Sequence, residues 1–348
     1  MFIKNLQFAF RNFKKNKATT AINILGLAVG ISASIVIFLI VRYDYSFDKW
    51  EPNQKNIYRV VTKLGGFGMN AGVSITSPKT IREKVPGLKT MAQFIESPFD
   101  KLDVSIPQGD KPVPKTFKDV EDMAFADENY FTIFPHQWLA GSVQSLAQPY
   151  HTVLSLSQAK RFFPDLSPDK IIGKEIVFND SVTTTVSGIV ADLKHHSDFD
   201  NKIFVSLKTF TDTNLKTLIG DSWTAIASQS QCFYVLQDGA DTGKINKQIK
   251  QLYADHEQGW EPSQMFIGRL QSLDNIHFDK YVNGKADKST LRNLLLLALF
   301  LLLLGAINFI NLSTAQSTLR AKEIGVRKTF GSNKKQIIYM ENQFFFCV

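Results

Sequence analysis

The chain has 348 residues, 44% hydrophobic, with a formal net charge of +8 and two cysteines, which allows one or two domains with cores that need no disulfide. Residues 1–20 hold Lys4, Arg11, Lys14, Lys15 and Lys17 and no acid, residues 313–348 hold six bases against Glu323 and Glu341, and the remainder is near neutral. Basic charge confined to the two ends, with no Lys and Arg interleaved with aromatics in the middle, excludes nucleic acid as a partner.

In chain order, residues 1–20 come first. Ile3, Leu6, Phe10 and Phe13 recur at helical spacing beside Lys4, Arg11, Lys14 and Lys15. That pattern predicts an amphipathic helix on the membrane lipid, with a plain topogenic tail as the simpler alternative. Residues 21–41 are almost wholly apolar and reach the length of roughly 20 residues that spans a bilayer. The run exceeds a signal-peptide core, and Tyr43-Asp44-Tyr45 offers no small-residue cleavage site, so a retained first span is expected. Gly26, Gly30 and Ser34 form a small-residue stripe on which a second helix can pack closely, and Asn23 could hydrogen-bond inside a bundle.

Residues 42–291 have ordinary globular composition and read as an α+β domain. Ile57–Lys63 is a predicted strand. Ser77 caps a predicted helix with Pro78 at its first position, and the helix stops at Val85-Pro86-Gly87. Lys101–Lys118 holds short strand-like pieces, and Asp127–Phe134 an aromatic helical turn. Val153–Leu156 is a strand, and Ser157 caps a helix over Gln158–Phe163. Ile171–Val177 and Val182–Val190 suggest a hairpin or meander. Cys232–Gln237 is a strand, Asp241–His256 a helix, and Trp260–Asp274 an extended return. Short strands with inserted helices favour α+β over a regular parallel sheet.

Residues 292–313 form the second span. Gly305, Asn308 and Asn311 lie in it, and amides at that depth are expected to face protein. Basic flanks at both ends place both termini in the cytoplasm and the middle outside. Cys232 and Cys347 then lie on opposite sides and cannot pair. Residues 314–343 carry a polar helix with Glu323 and Arg327 at i,i+4, acid before base, ended at Phe330-Gly331. By periodicity alone this is equally a solvated helix drawn to anionic lipid or a surface for a cytoplasmic partner. Phe344–Val348 reads as the start of a third span, so the sequence is expected to be either a fragment, the N-terminal part of a longer protein, or the product of an early stop.

Catalytic signatures do not occur. There is no phosphate loop of the G-x-x-x-x-G-K-[ST] type, and Gly87-Leu88-Lys89-Thr90 lacks its spacing. There is no nucleophile elbow either. His195-His196-Ser197-Asp198-Phe199-Asp200 has zinc-binding residue types. Adjacent histidines point apart on extended backbone, so a polar loop is the simpler account and no metal or other cofactor is expected.

Lys322-Glu323-Ile324-Gly325-Val326-Arg327-Lys328 with Gly331 resembles the signature of FtsX-like permeases, the membrane subunits of MacB-type ABC transporters. Arg11-Asn12, Asn23-Ile24-Leu25-Gly26-Leu27, Tyr130-Phe131, Leu139-Ala140-Gly141, and Val153-Leu154-Ser155 with Ala159 to Phe163 are similar to the family's N-terminus and its MacB-like periplasmic core domain. The resemblance implies an α+β periplasmic domain between two transmembrane helices in the bacterial inner membrane, with a cytoplasmic coupling helix. It implies a separate cytoplasmic ABC ATPase as partner, a second permease copy forming a homodimer, and no enzymatic activity in this chain. Lys322 to Lys328 and Gly331 would contact the ATPase, whose motion would reach the outer domain for export or extraction of a substrate. The alternative is a membrane-anchored extracytoplasmic sensor or binding protein, a class that two spans around one domain also suit.

Overall fold

Strands in this chain are short, and most are buried on both faces, so they need partners on both edges. In the computed structural model they find them in one continuous sheet. The structure describes residues 17–50, 53–64, 68–109, 113–256, 266–329 and 331. The amphipathic helix expected over residues 1–16 and the start of a third span lie outside these residues. The chain divides into two units, Met1–Tyr43 with Lys288–Val348, and Asp44–Asp287.

Among the described residues the Asp44–Asp287 unit contains thirteen strands. In chain order they are β1 (Ile57–Leu64), β2 (Gly68–Asn70), β3 (Leu88–Glu96), β4 (Val104–Ile106), β5 (Lys115–Phe117), β6 (Met123–Ala126), β7 (Trp138–Ala140), β8 (His151–Ser155), β9 (Glu175–Phe178), β10 (Val182–Val190), β11 (Ile203–Ser206), β12 (Ser230–Leu236) and β13 (Phe266–Ser272). Across the sheet the order is β13-β1-β12-β3-β6-β11-β8-β10-β9-β4-β5, with β2 on β1 and β7 on β10. Most pairs are antiparallel; β8 with β10 and β6 with β11 are parallel. β9 and β10 are the expected hairpin. Asn179 and Asp180 in its three-residue loop have φ of +46° and +51°, a left-handed conformation that Asn and Asp tolerate better than most residues.

Strand periodicity assigns the core. On one face Ala124, Val153, Val190, Phe204 and Phe233 join an aromatic cluster with Phe94, Tyr130, Phe134 and Phe199. Their strand neighbours Phe125, Leu154, Ile189 and Val205 turn to the other face. There Cys232 and Tyr234 of β12 meet Ile245, Ile249 and Tyr253, from the helix Thr242–His256. Covering both faces explains why all seven residues of β12 are buried.

Among the strands lie α2 (Ser77–Lys84), α3 (Tyr130–Ile133), α4 (Leu156–Phe162), α5 (Pro168–Ile171), α6 (Leu207–Thr211), α7 (Thr242–His256) and α8 (Leu273–Ile276). Two of these start differently from the sequence reading. The helix α4 runs Leu156–Phe162, and Ser155 caps it by accepting from the Gln158 amide, while Ser157 hydrogen-bonds Asp192 instead. Ser77 is the first helical residue of Ser77–Lys84, and its amide donates to Ser74 Oγ at 3.2 Å.

In the other unit, α1 spans Lys17–Asp44 and the last helix, α9, Lys288–Thr329. Ile24–Asp44 and Lys288–Asn311 are long and apolar enough to cross a membrane. α9 is 42 residues long, about 63 Å at helical rise. The sequence suggested a separate polar helix after the second span. Instead the backbone continues unbroken, because Leu312 to Leu319 contains neither Gly nor Pro to stop it.

Candidate functional site

Three features bear on function. The first is the seam between α1 and α9. Ser34, 4% exposed, donates from Oγ to its own helix at Gly30 O (2.8 Å) and to Ala298 O of α9 (2.9 Å). A Cβ on Gly30 would stand 3.3 Å from Leu301 O, one on Gly26 3.6 Å from Asn308 Nδ2, and one on Gly305 3.3 Å from Leu27 Cδ1. The small residues thus let the two backbones approach. Asn308 faces this seam; Asn311 is exposed.

The second feature is the charged end of α9. The backbone of Lys322 to Lys328 is helical throughout. Space around Gly325 is open, and Gly331 has φ of +88°, the left-handed geometry that suits Gly after a helix.

The third lies in the globular unit. The segment after the first span is tied down by the loop that the sequence had marked for its histidines. Trp50 stacks on His195 (5.5 Å between centroids) and Phe47 on His196 (5.6 Å). Asp48 donates its amide to His196 O at 3.0 Å. The Asp48 carboxylate, 1% exposed, accepts from Ser197 Oγ and from the Asp198 amide. His277 lies between two carboxylates, with Nδ1 3.0 Å from Asp198 and Nε2 3.3 Å from Asp44. Lys285 Nζ is 3.1 Å from Asp198. Burial pushes the Asp48 carboxyl up to about 6, with the Asp198 charge adding and the Ser197 hydrogen bond opposing. Sequence reading missed His277, Asp44 and Asp48 as members of one cluster. Its only trace was the density of Tyr, Phe, Trp and Asp over residues 43–50.

Asp198 and Lys285 also line a cleft of about 780 Å³ together with Arg59 and Glu96. Arg59 is held by Gln271 Oε1 (2.6 Å), Gln231 Oε1 (3.0 Å) and Val282 O (3.3 Å). Gln231 also donates to Glu96 at 3.3 Å. Burial lowers the Arg59 pKa to about 10 and raises that of Glu96. Among the described residues no group of three His, Cys, Asp or Glu converges as metal ligands.

An α+β domain inserted between two membrane-length helices, the second running on into a basic polar end, defines a membrane-anchored protein with one large non-membrane domain. Residues 20–252 match the MacB-like periplasmic core domain and residues 295–347 the FtsX-like permease C-terminal region. The chain belongs to this family of MacB/FtsX-like permeases, ABC permease subunits that are generally non-enzymatic, carry a periplasmic domain and work with a cytoplasmic ABC ATPase. Among solved structures it is similar to a domain assigned to a permease protein of Porphyromonas gingivalis, at 17% identity and TM-score 0.50, covering 64% of this chain and 92% of that one. It is also similar to the periplasmic region of MacB from Actinobacillus actinomycetemcomitans (16% identity, 64% and 91% covered, TM-score 0.44). A third is the extracellular domain of the noncanonic ABC-type transporter YknZ from Gram-positive bacteria (11% identity, 62% and 100% covered, TM-score 0.41). Comparison with curated proteins gave no match.

Proposed function

We propose that this chain is the permease subunit of a MacB-type ABC transporter, passing ATP-driven motion of a separate ATPase to its periplasmic domain for export or extraction of a substrate. The observation that carries the reading is the unbroken backbone of α9 from Lys288 to Thr329. It puts the second span and the Lys322–Lys328 segment on one rod, and a helix without a hinge passes an axial or tilting displacement along its length. Both ends are cytoplasmic on this reading, since the basic residues flank the spans, and the protein sits in the inner membrane with lipid around the exposed faces of α1 and α9. Lys322, Glu323, Ile324, Gly325, Val326, Arg327, Lys328 and Gly331 meet the ATPase. The open space at Gly325 supports close approach by a partner. A second copy completes a homodimer around the ATPase pair.

The test uses the natural protein purified from its host membrane. It should bring an ABC ATPase with it, and the doubly charge-swapped variant Glu323→Lys with Arg327→Glu should weaken that association and reduce permease-stimulated ATP hydrolysis by about tenfold or more, the equivalent of about 1.4 kcal/mol. Unchanged hydrolysis in a correctly inserted variant would remove these residues from the contact. Absence of any ATPase would remove the transporter reading itself.

A further inference from the structure

The cluster that ties down residues 44–50 contains more acid than base. Three carboxylates, Asp44, Asp48 and Asp198, surround one imidazole, His277, and one ammonium, Lys285. The Lys285 side chain is 64% exposed, so solvent screens much of its charge. The Asp198 side chain is 7% exposed and that of His277 4%. Like charges held together away from water favour uptake of a proton.

Every member lies outside the strands of the sheet. Asp44 ends α1, and Asp48 follows in a turn with φ of +55°. Ser197 and Asp198 lie in the loop after β10, and His277 and Lys285 lie between β13 and α9. The contacts between them are side-chain hydrogen bonds and ring stacks, the closest being Phe47 on His277 at 3.9 Å. A backbone bond, Asp48 N to His196 O, crosses from the first segment to the second.

We propose that this cluster is a proton-operated latch that holds the Asp44–Trp50 segment on the globular domain more tightly as its surroundings acidify. Asp48 is the group that takes the proton. The titratable and charged groups around it are Asp198 and His277, with Asp44 and Lys285 one contact further out and His195 and His196 stacked on Trp50 and Phe47 of the same segment. Its burial-raised carboxyl supports this assignment. The sign follows from the linkage rule. A carboxyl whose folded pKa is raised binds a proton in the closed state that it lacks in the open state, so closure strengthens as pH falls through the folded value and weakens above it. Below that range the neutral Asp48 no longer repels Asp198, and its hydroxyl can donate to Ser197. The latch does not depend on an ATPase, so it stands or falls separately from the transporter reading.

Amide hydrogen exchange on the full chain in lipid nanodiscs tests it, with intrinsic rates corrected for pH. Protection at the Asp48 amide should rise by about tenfold between about pH 7.5 and about pH 5, while Val153 in the middle of the sheet shows no comparable change. Asp48→Asn, a neutral mimic that also tolerates positive φ, should be protected at the higher level throughout and lose the slope. A flat wild-type profile would overturn the proposal, as would an Asp48→Asn variant that keeps the wild-type slope. Should that variant fold poorly, the wild-type profile measured against Val153 decides alone.

Discussion

Replacing Asp127 by asparagine is expected to flatten the pH dependence of the periplasmic-type domain's stability. Asp127 precedes the helical turn Tyr130–Ile133 and exchanges bonds with β3: its amide donates to Gln93 O at 3.1 Å and its Oδ2 accepts from Gln93 N at 2.8 Å. Its Oδ1 is buried with no hydrogen-bond partner, although the amides of Asn129 and Tyr130 lie near enough to oppose the shift. Burial raises the carboxyl from 3.8 to about 7, so the fold favours the neutral form. The associated stability is fully present below the unfolded value and is lost as pH rises through the folded one. Some three pH units at about 1.4 kcal/mol each set a ceiling of about 4 kcal/mol, of which about 3 kcal/mol should disappear between about pH 5 and about pH 8. Asparagine cannot titrate, so the difference in melting temperature between variant and wild type should change by about 6–12 °C across that range, for a domain of this size. Calorimetry or intrinsic fluorescence of the full chain at the two pH values measures it. Parallel melting profiles would show that Asp127 is solvated or paired in solution and that the burial argument is wrong.

Gly30→Leu should force α1 and α9 apart, because the new side chain meets the Leu301 carbonyl; a loss of about 1–3 kcal/mol is expected, read as a lower melting temperature in detergent, with Gly30→Ala much milder. Gly141→Ala should destabilise by about 2 kcal/mol or more, since φ is +79° and the added methyl collides with Ser187 O and Gly188; urea melts would show it, and a wild-type midpoint would refute the geometry. The Glu323 and Arg327 charge swap should leave both melts unchanged while reducing ATPase stimulation, which separates contact from folding.

Much of the outline was legible in the sequence because it rests on composition and period. The spans declare themselves by length, and Val182–Val190 by its β-branched alternation. The hairpin that this strand makes with β9 was foreseen from the same signals. β3, β6 and β11 were not foreseen. Leu88–Glu96 mixes Lys, Thr, Met and Gln with apolar residues, and Met-Ala-Phe-Ala has no polar alternation. Both become strands because neighbours on each edge complete their ladders, a tertiary effect that local propensity does not encode. The Asp44–His277–Asp198 contacts join residues 79 and 233 positions apart. No spacing rule reaches so far, so the loop at His195-His196 was legible but the residues it holds were not.

The continuity of α9 constrains the spacing between its two ends. With no hinge between the apolar run and the charged terminus, length fixes orientation: each residue added or removed there turns the far end by about 100° and shifts it by about 1.5 Å. A single-residue deletion between Asn311 and Lys322 would therefore swing the basic terminus a quarter of the way round the helix axis while changing none of its residues. On the proposed coupling role, such a deletion should cost ATPase stimulation although every charged side chain is still present.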